Sequence, residues 1–523
     1  MSDLTRQAEV PQNAPLHPLP LDTEAVLEQV LPIVPYGRDE AHLTLAALIE
    51  AQGINDSMTQ SYGAADVFDL ADRLLATAPL PPPSGTTVAT AGPPRFVARW
   101  RCLLIGPAQA SVMVLILAII ALAETGLRAM GIQRLTTIVA TIVATMIAGG
   151  SLQLSAWLIG VALGRGVAHS LRLAYRKTLL VGLGITGAIT LISLFVGQLA
   201  NLEPQATLGF AAIIVILTPL LLASGELMLL QRRVQTIGTL AVAVGSIWVA
   251  TVAYAAPLLL TATSVILIAT IALVAQAEFE IRRRGRTLER RRRRLPPPVL
   301  IWLYAAPFVC YGVLTVMLVF AAQPLIWMDG DVLSRGFVHL MHLAGLSLFV
   351  LSQGAFEAGM VSLWSVSTTI QHQFTLTEAG QAGKSVRDFI LTTMRRAVLV
   401  QFVLSGVISP VILWLLAPDM NGVSWGVIGL TLSGTMIGYA LLGHALFLCG
   451  VLNIFGDRWS VVKALSLSVV VTGSSARLAL EYLSPLASVA GIVLGSLLLF
   501  ILVAGESRRL LSDSAYTLYR GFS

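Results

Sequence analysis

At 523 residues, with 56% hydrophobic and 12% charged residues and a mean hydropathy of +0.80, the chain is too apolar to present a polar surface to water. This excludes a soluble globular protein and predicts an all-α polytopic membrane protein. The net charge of +6 conceals two opposite parts: residues 1–94 carry 12 acidic and 3 basic residues, net −9, against 31 basic and 16 acidic, net +15, in the remainder.

No secretory signal opens the chain, because Met1 to Leu21 has Asp, Glu, Gln, Asn and Pro where an apolar core would lie, so the amino terminus is expected in the cytosol. Three short helical patterns follow, Asp22 to Val30, Asp39 to Ala51 and Ala64 to Ala78, with Asp22 and Asp39 as caps and Gly53 as a stop. They make an acidic cytosolic helical head over 1–78, small enough to be marginal alone. It reads as a solvated extension, with docking to a cytosolic partner such as a glycosyltransferase as the functional alternative. Residues 79–95, rich in Pro and Gly, form a linker.

A helix needs about 20 apolar residues to cross the hydrocarbon core. That ruler marks spans at 102–123, 136–163, 178–200, 206–228, 235–256 and 258–277, a first six-helix lobe within 96–277. It marks six more at 299–323, 336–361, 397–417, 424–450, 462–481 and 486–505, a second lobe over 299–505 before a cytosolic tail, 506–523. The fifth and sixth spans are almost continuous at Ala256-Pro257.

Between the lobes, 278–298 holds the run Arg282, Arg283, Arg284, Arg286, Arg290, Arg291, Arg292, Arg293 and Arg294. Nine arginines do not cross a bilayer, so this linker is expected on the cytoplasmic surface, anchored to anionic membrane lipid. Without interleaved aromatics it is not read as a nucleic-acid site. Arg165, Arg172, Arg176, Lys177, Arg232, Arg233, Lys384, Arg387, Arg395, Arg396, Arg458 and Lys463 fall on the same side, as the positive-inside rule asks, and Arg128 and Arg134 dissent. The expectation is a multi-pass protein of the plasma (inner) membrane with both termini cytoplasmic. Gly164 to Lys177 after the second span and Lys384 to Arg396 after the eighth are both basic, amphipathic and end in a basic pair. This predicts a parallel six-plus-six repeat.

No GxxxxGK[ST] loop and no clustered loop carboxylates occur, so an enzyme is not expected. Cys102, Cys310 and Cys449 lie in or beside apolar runs and read as free thiols. Ionisable groups within spans cost on the order of 2.5 kcal/mol or more, which makes each a candidate. Arg477 is the deepest, although Glu481 lies four residues on and offers it a partner at the outer end. Glu357 is flanked by small residues suited to cavity lining, and Glu226 holds the matching place in the fourth span, near Arg232 and Arg233. His339 and His342 share a face, and His444 stands alone; two histidines fall short of a metal site, and polar contacts explain them better. No cofactor or metal is expected.

The stretches Leu154 to Gly166 and Phe447 to Arg458, with helix-basic-helix patterns at 154–196 and 363–416, resemble the multidrug/oligosaccharidyl-lipid/polysaccharide (MOP) flippase superfamily. Within it, the resemblance is to the membrane subunit of the Pel exopolysaccharide exporter, whose ending Ala515 to Arg520 also resembles, and to O-antigen-type flippases. The resemblance spans about residues 96 to 523, and the acidic head departs from it. It implies movement of a lipid-linked oligosaccharide or growing polysaccharide by alternating access between the lobes, with coupling to an H+ or Na+ gradient. Arg477, His444, Glu357, His339, His342 and Glu226 would then line the cavity. A major-facilitator or multidrug secondary transporter of small molecules is the first rival. It shares twelve spans, but its acidic-basic signature is missing from Gly164 to Lys177. A non-transporting membrane scaffold of a polysaccharide synthesis complex is the second.

Overall fold

The computed structural model describes residues 64–77, 107–120 apart from 113 and 117, 134–164, 168–230, 232–254, 258–285, 298–325, 332–373, 379–416, 424–483 and 485–512, with Ala46 and Thr59. The head patterns Asp22 to Val30 and Asp39 to Ala51, the 79–95 linker, Arg286 and Arg290 to Arg294 lie outside them. Two compact units emerge. The first contains the head, and residues 96–367 with 375–522 form the second, which carries the membrane helices.

In the head, α1 (Val67–Thr77) buries Val67, Leu70 and Ala71, spaced to share one face. Its start is held reciprocally. Asp69 N–H donates to Asp66 Oδ1 at 2.7 Å, and Ala65 N–H donates to Asp69 Oδ2 at 2.7 Å, in the manner of a capping box. Arg73 also bonds the Asp69 carboxylate, at 2.9 Å, and holds its pKa below the ordinary range against the opposing effect of burial.

Among the described residues, the membrane unit contains twelve apolar helices. A short one lies between Pro107 and Ile120, here α2, and eleven are long and apolar enough to cross a bilayer by length and composition. These are α3 (Arg134–Gly164), α4 (Ala168–Leu199), α5 (Pro204–Leu229), α6 (Arg233–Tyr254), α7 (Leu258–Gly285), α8 (Pro298–Phe320), α9 (Val332–Gln373), α10 (Ala379–Leu416), α11 (Trp425–Ile454), α12 (Arg458–Tyr482) and α13 (Ala490–Ser512). A 3-10 turn, Pro485–Val489, leads into α13.

Several helices outrun their apolar spans at the basic end. α4 begins ten residues before the expected 178, α10 eighteen before 397, and α9 continues twelve past 361. Hydropathy measures only the stretch that must sit in hydrocarbon, whereas a helix continues into water while its residues favour it. The basic segments expected as connections are thus largely the first turns of α4 and α10. Sharp reversals need positive φ: Asn201 (φ 49) closes α4, and Gly456 (φ 84) turns α11 into α12.

The two halves repeat their packing. In the first lobe (α2–α7), α5 packs against α4 and α7, and α6 against α7. In the second (α8–α13), α11 packs in the corresponding way against α10 and α13, and α12 against α13. A core of Ile214, Leu217, Leu220, Leu227, Leu240 and Leu273 fills the first lobe. Met341, Ala344, Leu348, Ile428, Leu432 and Met436 fill part of the second.

The lobes meet where α3 packs along α8. Leu154, Leu158 and Ala174 of the first lobe cluster with Ala305 of the second, and Trp157 and Val309 pack on that cluster. Farther along the seam the backbones touch. A Cβ on Gly149 would sit 3.2 Å from the Gly312 carbonyl oxygen, and one on Gly312 would overlap the Gly149 carbonyl. Lipid supplies no hydrophobic force between helices, so such close approach of small residues is what holds them together.

Two outcomes follow from this packing. Gly312→Val should destabilise the detergent-solubilised protein by about 1–3 kcal/mol in thermal unfolding, whereas Gly184→Val, where an added Cβ meets nothing within 4 Å, should not. Because the Asp69 pKa is depressed on folding, its stabilisation of α1 is present above about pH 4 and is lost as pH falls through the lowered value. Amide-exchange protection of residues 67–77 should fall with it.

Candidate functional site

Glu357 lies toward the basic end of α9, and the fold brings two helices of the opposite lobe to it. Gln109 of α2 donates from Nε2 to Glu357 Oε1, and Arg233, the first residue of α6, places Nη2 3.5 Å from Oε2. The Arg233 and Glu357 side chains are 27% and 34% exposed, so water reaches the pair from one side. This three-residue cluster is an ionic contact between lobes, while the small residue Gly359 lets α9 lie close to α10 within its own lobe. Gly359, two residues on, has no room for a Cβ against Thr393 of α10.

Glu226 is elsewhere. It sits 1% exposed inside the first lobe, where Ser155 Oγ of α3 donates to its Oε2 at 2.8 Å. The buried Tyr175 hydroxyl of α4, in the same core, has no hydrogen-bond partner. The sequence sets Glu226 beside Arg232 and Arg233, but those arginines turn to other acids: Arg232 to Glu280 of α7 at 2.6 Å, and Arg233 to Glu357.

The histidines are contacts within the second lobe. His342 is buried and places Nδ1 3.2 Å from the Tyr439 hydroxyl, which donates onward to the Val319 carbonyl at 3.4 Å. The hydroxyl has one proton to give, so His342 Nδ1 is the protonated ring nitrogen of that pair. His339 lies one turn earlier on α9. His444 sets Nδ1 2.9 Å from the Ala440 carbonyl and Nε2 3.3 Å from the Met394 carbonyl, and packs edge-on to Phe356. Carbonyls only accept, so both bonds form together only when the imidazole is protonated.

Arg477 stands on α12 with Nε 3.9 Å from Glu481 Oε2, both side chains about half exposed, which is the i, i+4 pairing available from the sequence. Arg282 and Arg283 join a carboxylate network at the end of α7, with Arg282 on Glu278 and Arg283 on Glu280. Among the described residues, no three of His, Cys, Asp or Glu gather as metal ligands. Of the sequence candidates, only Glu357 makes a described contact with the opposite lobe. Gln109 and Arg233 were absent from that set. Arg233 was readable only as half of a topological arginine pair, and Gln109 as an ordinary polar residue.

No protein-family model matches the sequence, and no curated protein matches it. Solved structures do match in fold. A MATE transporter in a bent conformation aligns with a TM-score of 0.58 at 12% identity, covering 82% of this chain and 100% of that one. An outward-facing multidrug resistance MATE family transporter of the MOP superfamily gives 0.55 at 12%, over 81% and 98%. A eukaryotic MATE transporter gives 0.53 at 14%, over 82% and 98%. The chain therefore has the two-lobed helical fold of MATE transporters.

A double-mutant cycle on Arg233→Ala and Glu357→Ala, read by thermal unfolding in detergent, should give a coupling of about 0.5–1 kcal/mol, low because the pair is partly solvated. The same cycle on Arg233 and Glu226 should give none.

Proposed function

We propose that this chain is a non-enzymatic membrane transporter that moves a lipid-linked oligosaccharide or growing polysaccharide across the plasma membrane by alternating access. The observation that carries the reading is the Arg233–Glu357–Gln109 cluster, an ionic closure between two six-helix lobes of MATE-like fold. At 3.5 Å and partly solvated, it is strong enough to bias one closed arrangement and weak enough to part and re-form. The positive-inside pattern assigns this end to the cytoplasm, so the arrangement described has the cytoplasmic side held closed.

The glycan substrate rests on the sequence resemblance of Leu154 to Gly166 and Phe447 to Arg458, whose described residues include the end of α3 up to Gly164, the end of α11 and the turn into α12. A second reading, export of small molecules, rests on the fold likeness to a multidrug resistance MATE family transporter.

Purified protein in proteoliposomes separates them. A fluorescent lipid-linked oligosaccharide should be translocated, while a cationic dye should not be expelled under an imposed H+ or Na+ gradient. Dye efflux with a static glycolipid would replace the first reading by the second. In a chain with Cys102, Cys310 and Cys449 replaced by Ser, a short bifunctional thiol reagent joining Arg233→Cys to Glu357→Cys should abolish translocation. Undiminished transport by the cross-linked protein would refute closure at this point.

A further inference from the structure

The basic end of the first lobe carries a cation cluster that the transport reading does not use. Three guanidiniums converge on one oxygen, Glu278 Oε1 of α7. Arg172 of α4 approaches with Nε at 2.7 Å and Nη2 at 2.6 Å, Arg176 with Nη2 at 3.2 Å, and Arg282 with Nε at 3.2 Å. Beside them, Glu280 takes Arg232 at 2.6 Å and Arg283 at 3.6 Å. Five arginines share two carboxylates, so a surplus of three positive charges remains, and the exposed Lys177 next to Arg176 adds another.

The carboxylates are the covered members and the arginines the open ones. Glu278 and Glu280 side chains are 17% and 5% exposed, whereas Arg176, Arg282 and Arg283 are 54%, 59% and 62% exposed. Glu278 thus acts as a tether for three guanidiniums that stay partly exposed and keep N–H donors to spare. Below them on the same two helices runs an apolar, uncovered surface. Leu180 and Leu183 of α4 and Ile268, Ile271 and Phe279 of α7 are all exposed.

A ring of oriented guanidiniums above an exposed apolar wall matches a molecule with an anionic head and hydrocarbon tails. We infer that the basic ends of α4 and α7 bind the phosphodiester headgroup of an anionic phospholipid, with its acyl chains along Leu180, Leu183, Ile271 and Phe279. The guanidinium fork supplies paired N–H donors to phosphate oxygens, and the wall supplies the contact for the chains. Arg172 and Arg176 begin α4 and Arg282 ends α7, so the bound lipid also pins those two helix ends to each other.

The test uses the full chain in phosphatidylcholine nanodiscs doped with phosphatidylglycerol, with retained lipid counted by native mass spectrometry. The wild type should keep phosphatidylglycerol over phosphatidylcholine. Arg172→Gln with Arg176→Gln should lower that preference roughly tenfold or more. Arg172→Lys with Arg176→Lys, which keeps the charge and loses the fork, should lower it several-fold. Arg395→Gln with Arg396→Gln, removing equal charge from exposed positions on α10, should leave it unchanged. Thermal unfolding in pure phosphatidylcholine checks that each variant is folded. Equal loss in the α10 pair, or full retention in the lysine pair, would mean a diffuse field and no site. Displacement of the lipid by inorganic phosphate or glycerophosphoglycerol would show that the site reads free phosphate and that the apolar wall contributes nothing.

Discussion

The contact on which the two-lobed arrangement depends is the meeting of α3 and α8 at Gly149 and Gly312, where main chain touches main chain. In a bilayer, apolar side chains on two helices gain little by leaving lipid for each other, so association rests on how closely the helix axes approach. Any Cβ at Gly312 pushes the lobes apart. This contact lies near the middle of both helices, roughly 20 Å along α8 from its basic end at 1.5 Å per residue. The Arg233–Glu357 pair lies at that end. The seam is thus tight near the middle of the two helices and ionic toward its basic rim.

Electrostatics divide the acidic residues into two kinds of work. Glu278 and Glu280 take arginines at 2.6 Å from α4 and from the residue before α6, and so tie three helices of one lobe together. Glu357 reaches across to the other lobe, at 3.5 Å and open to water. Short, well-covered pairs resist separation, while a longer solvated one exchanges readily with water. The two shortest described ion pairs, Arg172–Glu278 and Arg232–Glu280, lie within the first lobe, and the Arg233–Glu357 pair between lobes is longer and more open. Glu226 belongs to neither group, bonded to Ser155 in a buried core.

Much of the architecture was legible because hydrocarbon imposes a ruler. Twelve apolar runs and the arginine block after the sixth gave the helix count and the six-plus-six division, and the paired packing of α5 and α11 repeats it. The extensions of α4 and α10 showed in the sequence as basic amphipathic segments, but the hydrocarbon ruler, which stops at the bilayer edge, did not join them to their spans, and it missed the extension of α9. Within the site, Glu357 was visible by its cost in a span. Its partners were not: Arg232 and Arg233 look alike in the sequence, yet consecutive positions face different directions, one toward α7 and the other toward α9. The histidine pair satisfied a spacing rule for a shared helix face. What that face meets, Tyr439 and the Val319 carbonyl, is set by long-range packing that no local pattern records.

The length of α9 has a mechanical meaning. Its 42 residues extend about 63 Å, twice the roughly 30 Å of hydrocarbon it has to cross. Glu357 lies sixteen residues before its end at Gln373, about 24 Å along the axis. A rigid rod held at mid-membrane multiplies small rotations. A ten-degree tilt, which shifts atoms near Glu357 by only a few ångströms, carries the far end about 4 Å further. In the proposed transport cycle, a parting of charges at Glu357 would thus be read as a larger displacement at the end of the same helix.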